Sequence, residues 1–454
     1  MSLNQKMATY LEQENFDNLP AAVIETTKKF ILDILATGIA GWEAPGCGEA
    51  VETITAWGDQ VNQGPATILG YGMNVPPAEA AFANSTIMHA LDFDDTLDSS
   101  ALHTMVSVFP AALALGETNA VSGRELLTAV VLGVDVICRL AAAITNPLSW
   151  IRTATCGSFG AAAAAGKILG LSREQLRHNF GIVYSQTAGN AQCLLDGSLV
   201  KRMQPAFASR AGVFSSLLAQ KGITGASYPF TGEYGFFNLY EGGKVDIDRV
   251  VDNLGKHYGI MDLSIKPYPS CRMTHAAISA ALLLNSKNEF NSADIHRVEI
   301  RVSAMVAEMV GKPFIIRDNP QVDAQFSIPY TVAVAFLRGK PKLEDFTEKM
   351  ISAPDILQLS NKIKVVVDHG LEANDINQVA MTVETRDGQQ FVEKQQYLPG
   401  SPDLPLTVSE CQEKFHNCVS FSQRQDFRRR ERDIIDLVFN LEEIADIREL
   451  TILL

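Results

Sequence analysis

The chain has 454 residues, of which 46% are hydrophobic, and carries a formal net charge of −14. This length exceeds what one ordinary hydrophobic core supports, so we expect two or three structural units. The negative charge argues against nucleic acid and anionic membrane surfaces as partners, although a local basic pocket could still hold an anion. Seven cysteines occur without a C-x-x-C pair, so neither a disulfide framework nor a zinc site is indicated.

The N-terminal residues and the apolar patterning predict a soluble, cytoplasmic protein. Residues 1–16 are polar and lack the basic start and apolar run of a signal peptide. No apolar segment approaches the roughly 20 residues that span a bilayer, so we expect no membrane-spanning helix and no membrane partner.

Helical patterning dominates the first 260 residues. Apolar and small residues follow helical spacing over residues 20–42, 76–93, 107–140 and 158–184. Within the last of these segments, Ser172 and Gln175 have the spacing of a capping box that starts a new helix. The many Ala and Gly residues allow helices to approach closely, so we expect an all-α domain here.

The character of the sequence changes near Ser264. Residues 296–306, 362–369 and 377–397 are rich in β-branched residues, and Asp387-Gly388 marks a hairpin turn in the last segment. Helical patterning returns after the loop at 398–407. The predicted fold is therefore mainly α: an all-α helical domain, discontinuous in sequence (1–263 and 403–454), with a smaller α+β domain inserted at 264–402.

The stretch LDFDDTLDSS, residues 91–100, allows three interpretations. Asp92, Asp94 and Thr96 spell D-x-D-x-T, the aspartyl-phosphate signature of haloacid-dehalogenase-type phosphatases. In those enzymes the first Asp follows a buried parallel strand, where it acts as the nucleophile. The preceding residues, AAFANSTIMHA, lack the β-branched run that such a strand requires.

The same stretch also fits D-D-x-x-D through Asp94, Asp95 and Asp98, the magnesium-diphosphate motif of prenyl and terpene synthases. Those all-α enzymes need a second acidic motif on a facing helix, and none occurs in this sequence. The third interpretation is a site that uses no metal. It leaves Asp92 and Thr96 in a pocket and assigns the other three acids to helix capping and solvation.

Four further patches place polar side chains where a hydrophobic core would not keep them. They contain His103, Lys201 with Arg202, Lys266 with Arg272 and His275, and Tyr330. Taken singly, each has a structural explanation, such as a satisfied core histidine or a solvated turn.

Taken in order, these patches resemble the MmgE/PrpD family, whose members include 2-methylcitrate dehydratase, cis-aconitate decarboxylase and iminodisuccinate epimerase. The resemblance covers nearly the whole chain and rests on TKKFILDILATGIAG, MHALDFDDT, GSFGAAAAAGKILGLS, VKRMQPAFASRAG, IKPYPSCRMTHAA, AQFSIPY and LPGSPDLPLT. It implies an all-α domain with an α+β lid, usually a homodimer. It also implies action on small di- or tricarboxylates without a metal or an organic cofactor.

The resemblance further implies a set of site residues. The catalytic candidates are His103, Lys201, Lys266, Tyr330 and Asp92, and the substrate-binding candidates are Thr96, Arg152, Arg202, Arg272 and His275. The cationic side chains would clamp substrate carboxylates. His103 is the natural base for a carbon α to a carboxylate, Lys and Tyr donors would stabilise enolate-like charge, and Asp92 would orient a partner or hold a lysine.

Two departures from the family pattern influence the predicted reaction. Arg152 stands approximately where dehydratase and decarboxylase members tend to carry a His before GSFG, and Gln204 replaces a His in the VKRM patch. An epimerase needs only two opposed acid/base groups, with no donor for a leaving hydroxyl. We therefore expect an epimerase of the iminodisuccinate type acting on an amino-dicarboxylate. The alternatives are a hydro-lyase or decarboxylase on a small tricarboxylate, and a non-catalytic metabolite-binding protein of the same fold.

Overall fold

The computed structural model describes residues 1–56, 64–146, 150–287 and 290–454, without the side chains of Leu194 and Leu195. Before residue 264 the elements are α1 (Leu3–Gln13), α2 (Ala21–Gly41), α3 (Cys47–Thr55), β1 (Ala66–Ile68), β2 (Met73–Val75), α4 (Pro77–His89), α5 (Met105–Asn119), α6 (Gly123–Ala143), α7 (Arg152–Ile168), α8 (Arg173–Tyr184), α9 (Gln192–Asp196), α10 (Val200–Gln220), α11 (Phe236–Glu241) and α12 (Asp248–Val251).

The next elements are α13 (His275–Ser286), β3 (Ile295–Val302), α14 (Ala304–Val310), α15 (Pro320–Gln325), α16 (Ile328–Arg338), α17 (Glu348–Ile351), α18 (Pro354–Ser360), β4 (Ile363–Val367), β5 (Val379–Thr385) and β6 (Gln390–Gln395). The chain ends with α19 (Val408–Phe421), α20 (Gln425–Phe439) and α21 (Arg448–Thr451). The predicted fold class, mainly α with a smaller α+β part, is confirmed.

The chain forms two compact units. The helical unit comprises Met1–Leu263 and Val408–Leu454, and the mixed unit comprises Ser264–Thr407. The second boundary lies after Thr407, whereas the sequence predicted it after residue 402. The loop before this boundary stays with the mixed unit because the Ile265 amide donates a hydrogen bond to the Gly400 carbonyl, at 3.0 Å.

Small residues bring the helices of the helical unit into close contact around α7. A Cβ atom on Gly160 of α7 would lie 2.6 Å from the Gly133 carbonyl oxygen of α6, and one on Gly212 of α10 would lie 2.5 Å from Ala161 Cβ. These distances are too short for a larger side chain, because packed carbon atoms separate by about 3.5–4.0 Å. The Ala- and Gly-rich sequence of α7 therefore allows α5, α6, α8 and α10 to pack against it.

The expectation that no apolar segment reaches membrane-spanning length is wrong for α6. Among the described residues, α6 is the one helix that is long and apolar enough to cross a membrane, but 94% of its apolar 18-residue stretch is buried within the protein. It also holds a buried ion pair between Arg139 Nε and Asp135, at 2.6 Å, and Asp135 accepts a hydrogen bond from the Tyr10 hydroxyl. These contacts are those of a core helix that ties the N-terminal helix in place.

The helical unit departs from a purely helical structure at one hairpin. Strands β1 and β2 pair antiparallel, with Thr67 opposite Asn74. The Thr67 amide donates to Glu117 at the end of α5, at 2.7 Å, and so joins the hairpin to the helices.

The mixed unit is built on a four-stranded sheet of order β4-β3-β5-β6. Strand β3 runs parallel to β4 and antiparallel to β5, and β5 and β6 form the predicted hairpin at Asp387-Gly388. Gly388 has φ 86°, which a turn of this kind requires. Helices α13 and α16 pack on the sheet and on each other to form the core of this unit.

Candidate active site

The polar centre of the helical unit lies in the loop between α4 and α5, which residues 90–104 form. Asp92 sits in this loop with φ 52°, a left-handed conformation that is uncommon for any residue except Gly. Such a conformation persists only where surrounding contacts hold it. The loop is therefore a place where the fold maintains a strained backbone beside ionisable side chains.

Asp95 fixes the end of this loop by capping α5. Its carboxylate accepts hydrogen bonds from the Thr104 amide, at 2.9 Å, from the Thr104 hydroxyl, at 2.8 Å, and from the Met105 amide, at 3.1 Å. These donors include amides at the start of the helix that have no partner within it. The capping role that the sequence suggested for Asp95 is confirmed, and it places His103 directly before the helix.

Asp94 lies between two histidines. Its carboxylate is 2.9 Å from His89 Nδ1 and 3.3 Å from His103 Nδ1, and the two imidazole rings meet edge to face at 4.7 Å between centroids. Asp94 is completely buried. Its interpretation as a capping or solvated residue is therefore wrong: it is the acid that orients both imidazoles.

Lys201, the second residue of α10, closes the cluster from the other side. Its ammonium group donates to Asp92 Oδ1, at 2.6 Å, and to His89 Nε2, at 3.1 Å. Asp92 thus holds a lysine, one of the two roles that the sequence analysis offered for it. Thr96 is buried in the same loop.

These contacts determine which nitrogen of each histidine carries a proton. The Lys201 ammonium has only donors, so His89 accepts at Nε2 and carries its proton on Nδ1, which donates to Asp94. His103 Nδ1 lies 2.6 Å from the Asp95 carbonyl oxygen, so it is also a donor. Proton exchange at His103 is left to Nε2, which faces Asp92 Oδ1 at 3.9 Å.

The electrostatics agree with this assignment. Burial, with a smaller contribution from the Lys201 ammonium, lowers the pKa of His89 to about 4 against the attraction of Asp94, so the ring is neutral near pH 7. Burial alone would raise the pKa of Asp94, but His103 and His89 hold it well below its ordinary value. His103 is the less buried of the two histidines, with 14% of its side chain exposed, and is the one that can reach a ligand.

His89, Asp94 and His103 are also close enough to hold a metal ion, since their ligand atoms lie within 4.8 Å of one another. However, both Nδ1 atoms are already committed to oxygen acceptors, and the Lys201 ammonium at 3.1 Å from His89 Nε2 would repel a cation. The arrangement suits a hydrogen-bonded acid/base cluster better than a metal centre.

The remaining cationic candidates lie in the mixed unit. Arg272 Nη1 donates to the Pro399 carbonyl, at 2.8 Å, and to His275 Nδ1, at 3.2 Å. His275 Nε2 donates to the Ser270 carbonyl, also at 3.2 Å. Lys266 is buried in the segment just before these residues. The structure therefore brings Arg272 and His275 together, and their roles and that of Lys266 stay predictions.

Tyr330 does not present its hydroxyl as the sequence analysis expected. The side chain is completely buried near the start of α16, and its hydroxyl donates to the Asp345 carbonyl. Burial raises the pKa of Tyr330, and the Asp345 charge raises it further. In this conformation the hydroxyl serves the packing of the mixed unit.

Two arginines predicted to bind substrate are engaged within the helical unit instead. Arg152 is buried and donates through Nη2 to the Asn146 carbonyl, at 2.7 Å, beside the Glu241 carboxylate at 3.4 Å. Arg202 donates through Nη1 to the Pro45 carbonyl, at 2.6 Å. Both guanidinium groups hold chain segments in this conformation, and their assignment as carboxylate clamps stays a prediction.

Gln204, where the family pattern suggested a histidine, holds a loop. Its side-chain oxygen accepts from the Asn190 amide, at 2.8 Å, and its nitrogen donates to the Asn190 carbonyl, at 3.0 Å. The side-chain amide of Gln204 thus supplies both an acceptor and a donor to the backbone of one residue.

The geometry also decides between the interpretations of the acidic stretch. Asp92 follows a helix and not a parallel strand, which removes the context of an aspartyl-phosphate enzyme. Asp94 and Asp95 lie in a loop, with their carboxylates engaged by histidines and amides, and so do not line a helical magnesium site. Sequence reasoning missed His89, although it stands five residues before Asp94 in the same stretch.

Comparisons with known proteins agree with the resemblance found in the sequence. Residues 5–248 match the MmgE/PrpD N-terminal domain, and residues 268–440 match the MmgE/PrpD C-terminal domain. The chain belongs to the MmgE/PrpD family. Its relatives in this family are enzymes.

Three relatives illustrate the range of this MmgE/PrpD protein's similarity. A cis-aconitate decarboxylase-like protein, oryM, of Aspergillus oryzae is 27% identical over 100% of this chain and 97% of its own. The cis-aconitate decarboxylase of Homo sapiens is 26% identical over 100% of this chain and 94% of its own. The 2-methylcitrate dehydratase of Salmonella typhi is 23% identical over 84% of this chain and 82% of its own. The names of all three are those of lyases or lyase-like proteins.

Proposed function

We propose that this protein is a lyase that decarboxylates a small tricarboxylate of the cis-aconitate type without a cofactor. The observation that carries the proposal is the state of His103: Nδ1 is committed to the Asp95 carbonyl, and Nε2 faces the Asp92–Lys201 pair. This leaves one oriented proton-exchanging atom beside a cation.

Decarboxylation of such a substrate requires one proton transfer to carbon. In a propene tricarboxylate, the bond between the saturated carbon and its carboxylate breaks, and the electron pair moves into the adjacent C–C bond. The original double bond then supplies the pair that takes a proton at its far carbon. Imidazolium Nε2 of His103 would donate this proton, and carbon dioxide leaves, so atoms and charge balance.

Lys201 supplies positive charge beside this proton donor. Two of its three N–H bonds are directed to Asp92 and His89, and among the described residues the third has no acceptor assigned to it, so it could donate to a substrate carboxylate. Because this ammonium group is held in place before the reaction, it stabilises the carbanion-like charge that develops in the transition state more than it stabilises the ground state of the substrate. In the mixed unit, Lys266 stays a predicted catalytic residue, and Arg272 and His275 stay predicted substrate-binding residues.

The requirement for a single proton transfer favours decarboxylation over the other two reactions. A dehydratase needs one group to remove a proton and another to protonate the leaving hydroxyl, and an epimerase needs two opposed acid/base groups. Among the described residues of the loop cluster, both nitrogens of His89 are engaged, so His103 is the one histidine available. The epimerase expected from the sequence has no support among the relatives named above, whereas its alternative, a lyase, does.

A substrate panel tests the proposal. The purified protein is incubated separately with cis-aconitate, 2-methylcitrate and an enantiopure amino-dicarboxylate, while carbon dioxide, alkene absorbance and optical rotation are followed. We expect carbon dioxide from cis-aconitate and no racemisation. Alkene formation from 2-methylcitrate alone would replace the decarboxylase with a hydro-lyase, and loss of optical rotation without gas would restore the epimerase.

The homodimer and the cytoplasmic location stay predictions. Light scattering coupled to size-exclusion chromatography tests the first, since a dimer would give a mass near twice the 49.4 kDa of the chain. Fractionation of cells that produce the protein with its native ends tests the second.

A further inference from the structure

In the loop of residues 90–104, here called the catalytic loop, Phe93 lies between two acids that contact different partners. Asp92 pairs with Lys201, at 2.6 Å, whereas Asp94 pairs with His89, at 2.9 Å. The left-handed backbone of Asp92 turns the chain between these two directions. The backbone of Phe93 must therefore be held still if both carboxylates are to keep their positions.

A side chain from the C-terminal part of the chain holds that backbone. Lys414 of α19 donates through Nζ to the Phe93 carbonyl, at 2.7 Å, and the same atom lies 3.8 Å from the centroid of the Phe93 ring. Lys414 Nζ also lies 2.5 Å from Asp33 Oδ1 of α2. The buried ammonium group of Lys414 thus contacts the carbonyl and the ring of Phe93 as well as the carboxylate of Asp33.

This ion pair is costly to bury, so stability alone explains it poorly. The side chains of Lys414 and Asp33 are 5% and 2% exposed. Burial, with smaller contributions from the charges of Asp95 and Asp94, raises the pKa of Asp33 to about 6 even though Lys414 lowers it. Buried ion pairs often contribute nothing over apolar replacements, and their best-attested use is to specify a geometry.

We propose that Lys414 is a positioning residue that holds the Phe93 carbonyl and thereby sets Asp92 and Asp94 against Lys201 and the two histidines. The inference rests on the proposed function only in that turnover is one of its readouts. Asp33 compensates the charge of Lys414 and directs its ammonium group. Through this contact α19, which lies more than 300 residues after Phe93 in the sequence, helps to hold the acid/base groups in place.

The chain offers a matched control. Lys28 of α2 is also buried, donates to a backbone carbonyl, that of Phe439, at 3.0 Å, and pairs with a carboxylate, that of Glu442, at 2.6 Å. Phe439 ends α20 and Glu442 follows it, while a further partner, Glu25, at 2.8 Å, belongs to α2, so none of these partners lies in the catalytic loop. Lys28→Met therefore removes the same chemical group and similar contacts without removing the hydrogen bond to Phe93.

The experiment compares Lys414→Met, the double variant Asp33→Asn/Lys414→Met and Lys28→Met in the full-length protein. For each, kcat and KM are measured together with amide hydrogen exchange of the peptide covering residues 91–104. We expect both Lys414 variants to lose about 100-fold in kcat, because a displacement of about 1 Å at a reacting group costs that much. KM should change little, and exchange of the loop should accelerate.

The double variant separates positioning from charge and stability. It removes both buried charges, so it should fold even if Lys414→Met alone does not, and it should stay slow because Phe93 still lacks its donor. Lys28→Met should keep the wild-type kcat and loop exchange. Wild-type kcat and loop exchange in the double variant would overturn the inference, as would an equal loss of kcat in Lys28→Met.

The hydrogen-exchange readout keeps this inference distinct from the proposed function. If the wild-type protein fails to decarboxylate cis-aconitate, the proposed function fails, while faster exchange of residues 91–104 in the Lys414 variants still supports the positioning role. If the wild-type protein turns over and the Lys414 variants match it in rate and exchange, the positioning role alone fails.

Discussion

Lys201 donates a hydrogen bond from its ammonium group to Nε2 of His89, at 3.1 Å. Because an ammonium group cannot accept, this contact makes His89 a neutral acceptor and directs its Nδ1 proton to Asp94. Through this hydrogen bond, Lys201 of α10 orients the His89 ring, and the ring in turn contacts Asp94 in the loop between α4 and α5. His103, whose Nδ1 lies 3.3 Å from the same Asp94, is the residue that we propose exchanges a proton with a ligand.

The neutrality of His89 predicts how the free energy of unfolding depends on pH. In the unfolded chain a histidine takes up its proton near pH 6.5, whereas folded His89 does so only near pH 4. The unfolded state therefore binds more protons between these values, and the free energy of unfolding falls as pH is lowered, by about 3 kcal/mol for this group.

Urea denaturation of the wild type and His89→Gln between pH 7.5 and 4 checks this dependence. Asp33, whose pKa is raised to about 6, acts in the opposite sense, because its folded form takes up a proton first. For each protein, the free energy of unfolding is plotted against pH. Subtracting the His89→Gln curve from the wild-type curve removes the contribution of Asp33, which both proteins share. The difference should show the fall in the free energy of unfolding that is assigned to His89. A difference that stays constant across this pH range would show that His89 is not held neutral.

Asp92 and Lys201 should behave as one unit in catalysis. Asp92→Ala and Lys201→Met each remove one partner of the 2.6 Å contact, so we expect each to lower kcat by about 100-fold and the double variant to lose little more. A double-mutant cycle on kcat/KM measures this coupling. Strictly additive losses in the cycle would mean that the two side chains act independently, and circular dichroism of each variant serves as the folding control.

Arg152 should matter for stability and not for substrate binding. Removing its guanidinium in Arg152→Met leaves Glu241 buried without its cation, which should lower the free energy of unfolding by on the order of 3 kcal/mol. KM should stay within about threefold of the wild type, well below the tenfold change that 1.4 kcal/mol of lost binding would give. Denaturation and steady-state kinetics measure the two effects, and a large rise in KM with unchanged stability would return Arg152 to the substrate site.

Activity should not depend on a metal ion at His89, Asp94 and His103. The Lys201 ammonium beside His89 opposes a cation, and the carboxylate of Asp94 is shared by two histidine donors. We therefore expect dialysis against a chelator to leave kcat unchanged and added Zn²⁺ to bring no gain. Loss of activity on chelation, restored by one equivalent of metal, would contradict the assigned hydrogen-bond network.

Much of the fold could be predicted from local sequence because local interactions determine it. The Ser172–Gln175 capping box is present, with the Ser172 amide donating to the Gln175 side chain at 3.0 Å, and β5 and β6 meet at the Asp387-Gly388 turn. These features involve residues a few positions apart. The Ala-rich character of α7 likewise predicted close helix packing, which the Gly160–Gly133 contact confirms.

The roles of the site residues were harder to predict because distant contacts decide them. The acids at 92 and 94 look alike in the sequence, and the contact that distinguishes Asp92 comes from Lys201, 109 positions away, while Lys414, 321 positions from Phe93, contacts the backbone between the two acids. Tyr330 begins an apolar helix whether its hydroxyl faces a ligand or a backbone carbonyl. Its spacing in the sequence cannot distinguish these orientations, and the packing of the mixed unit selected the second.

The most direct test of the account is turnover of cis-aconitate in deuterium oxide by the wild type and by His103→Ala. If His103 Nε2 delivers the proton to carbon, the wild type releases carbon dioxide and places one deuterium on a carbon of the product, and the folded His103→Ala variant does neither. Undiminished carbon dioxide release by His103→Ala, or solvent deuterium entering the wild-type substrate without any gas, would contradict it.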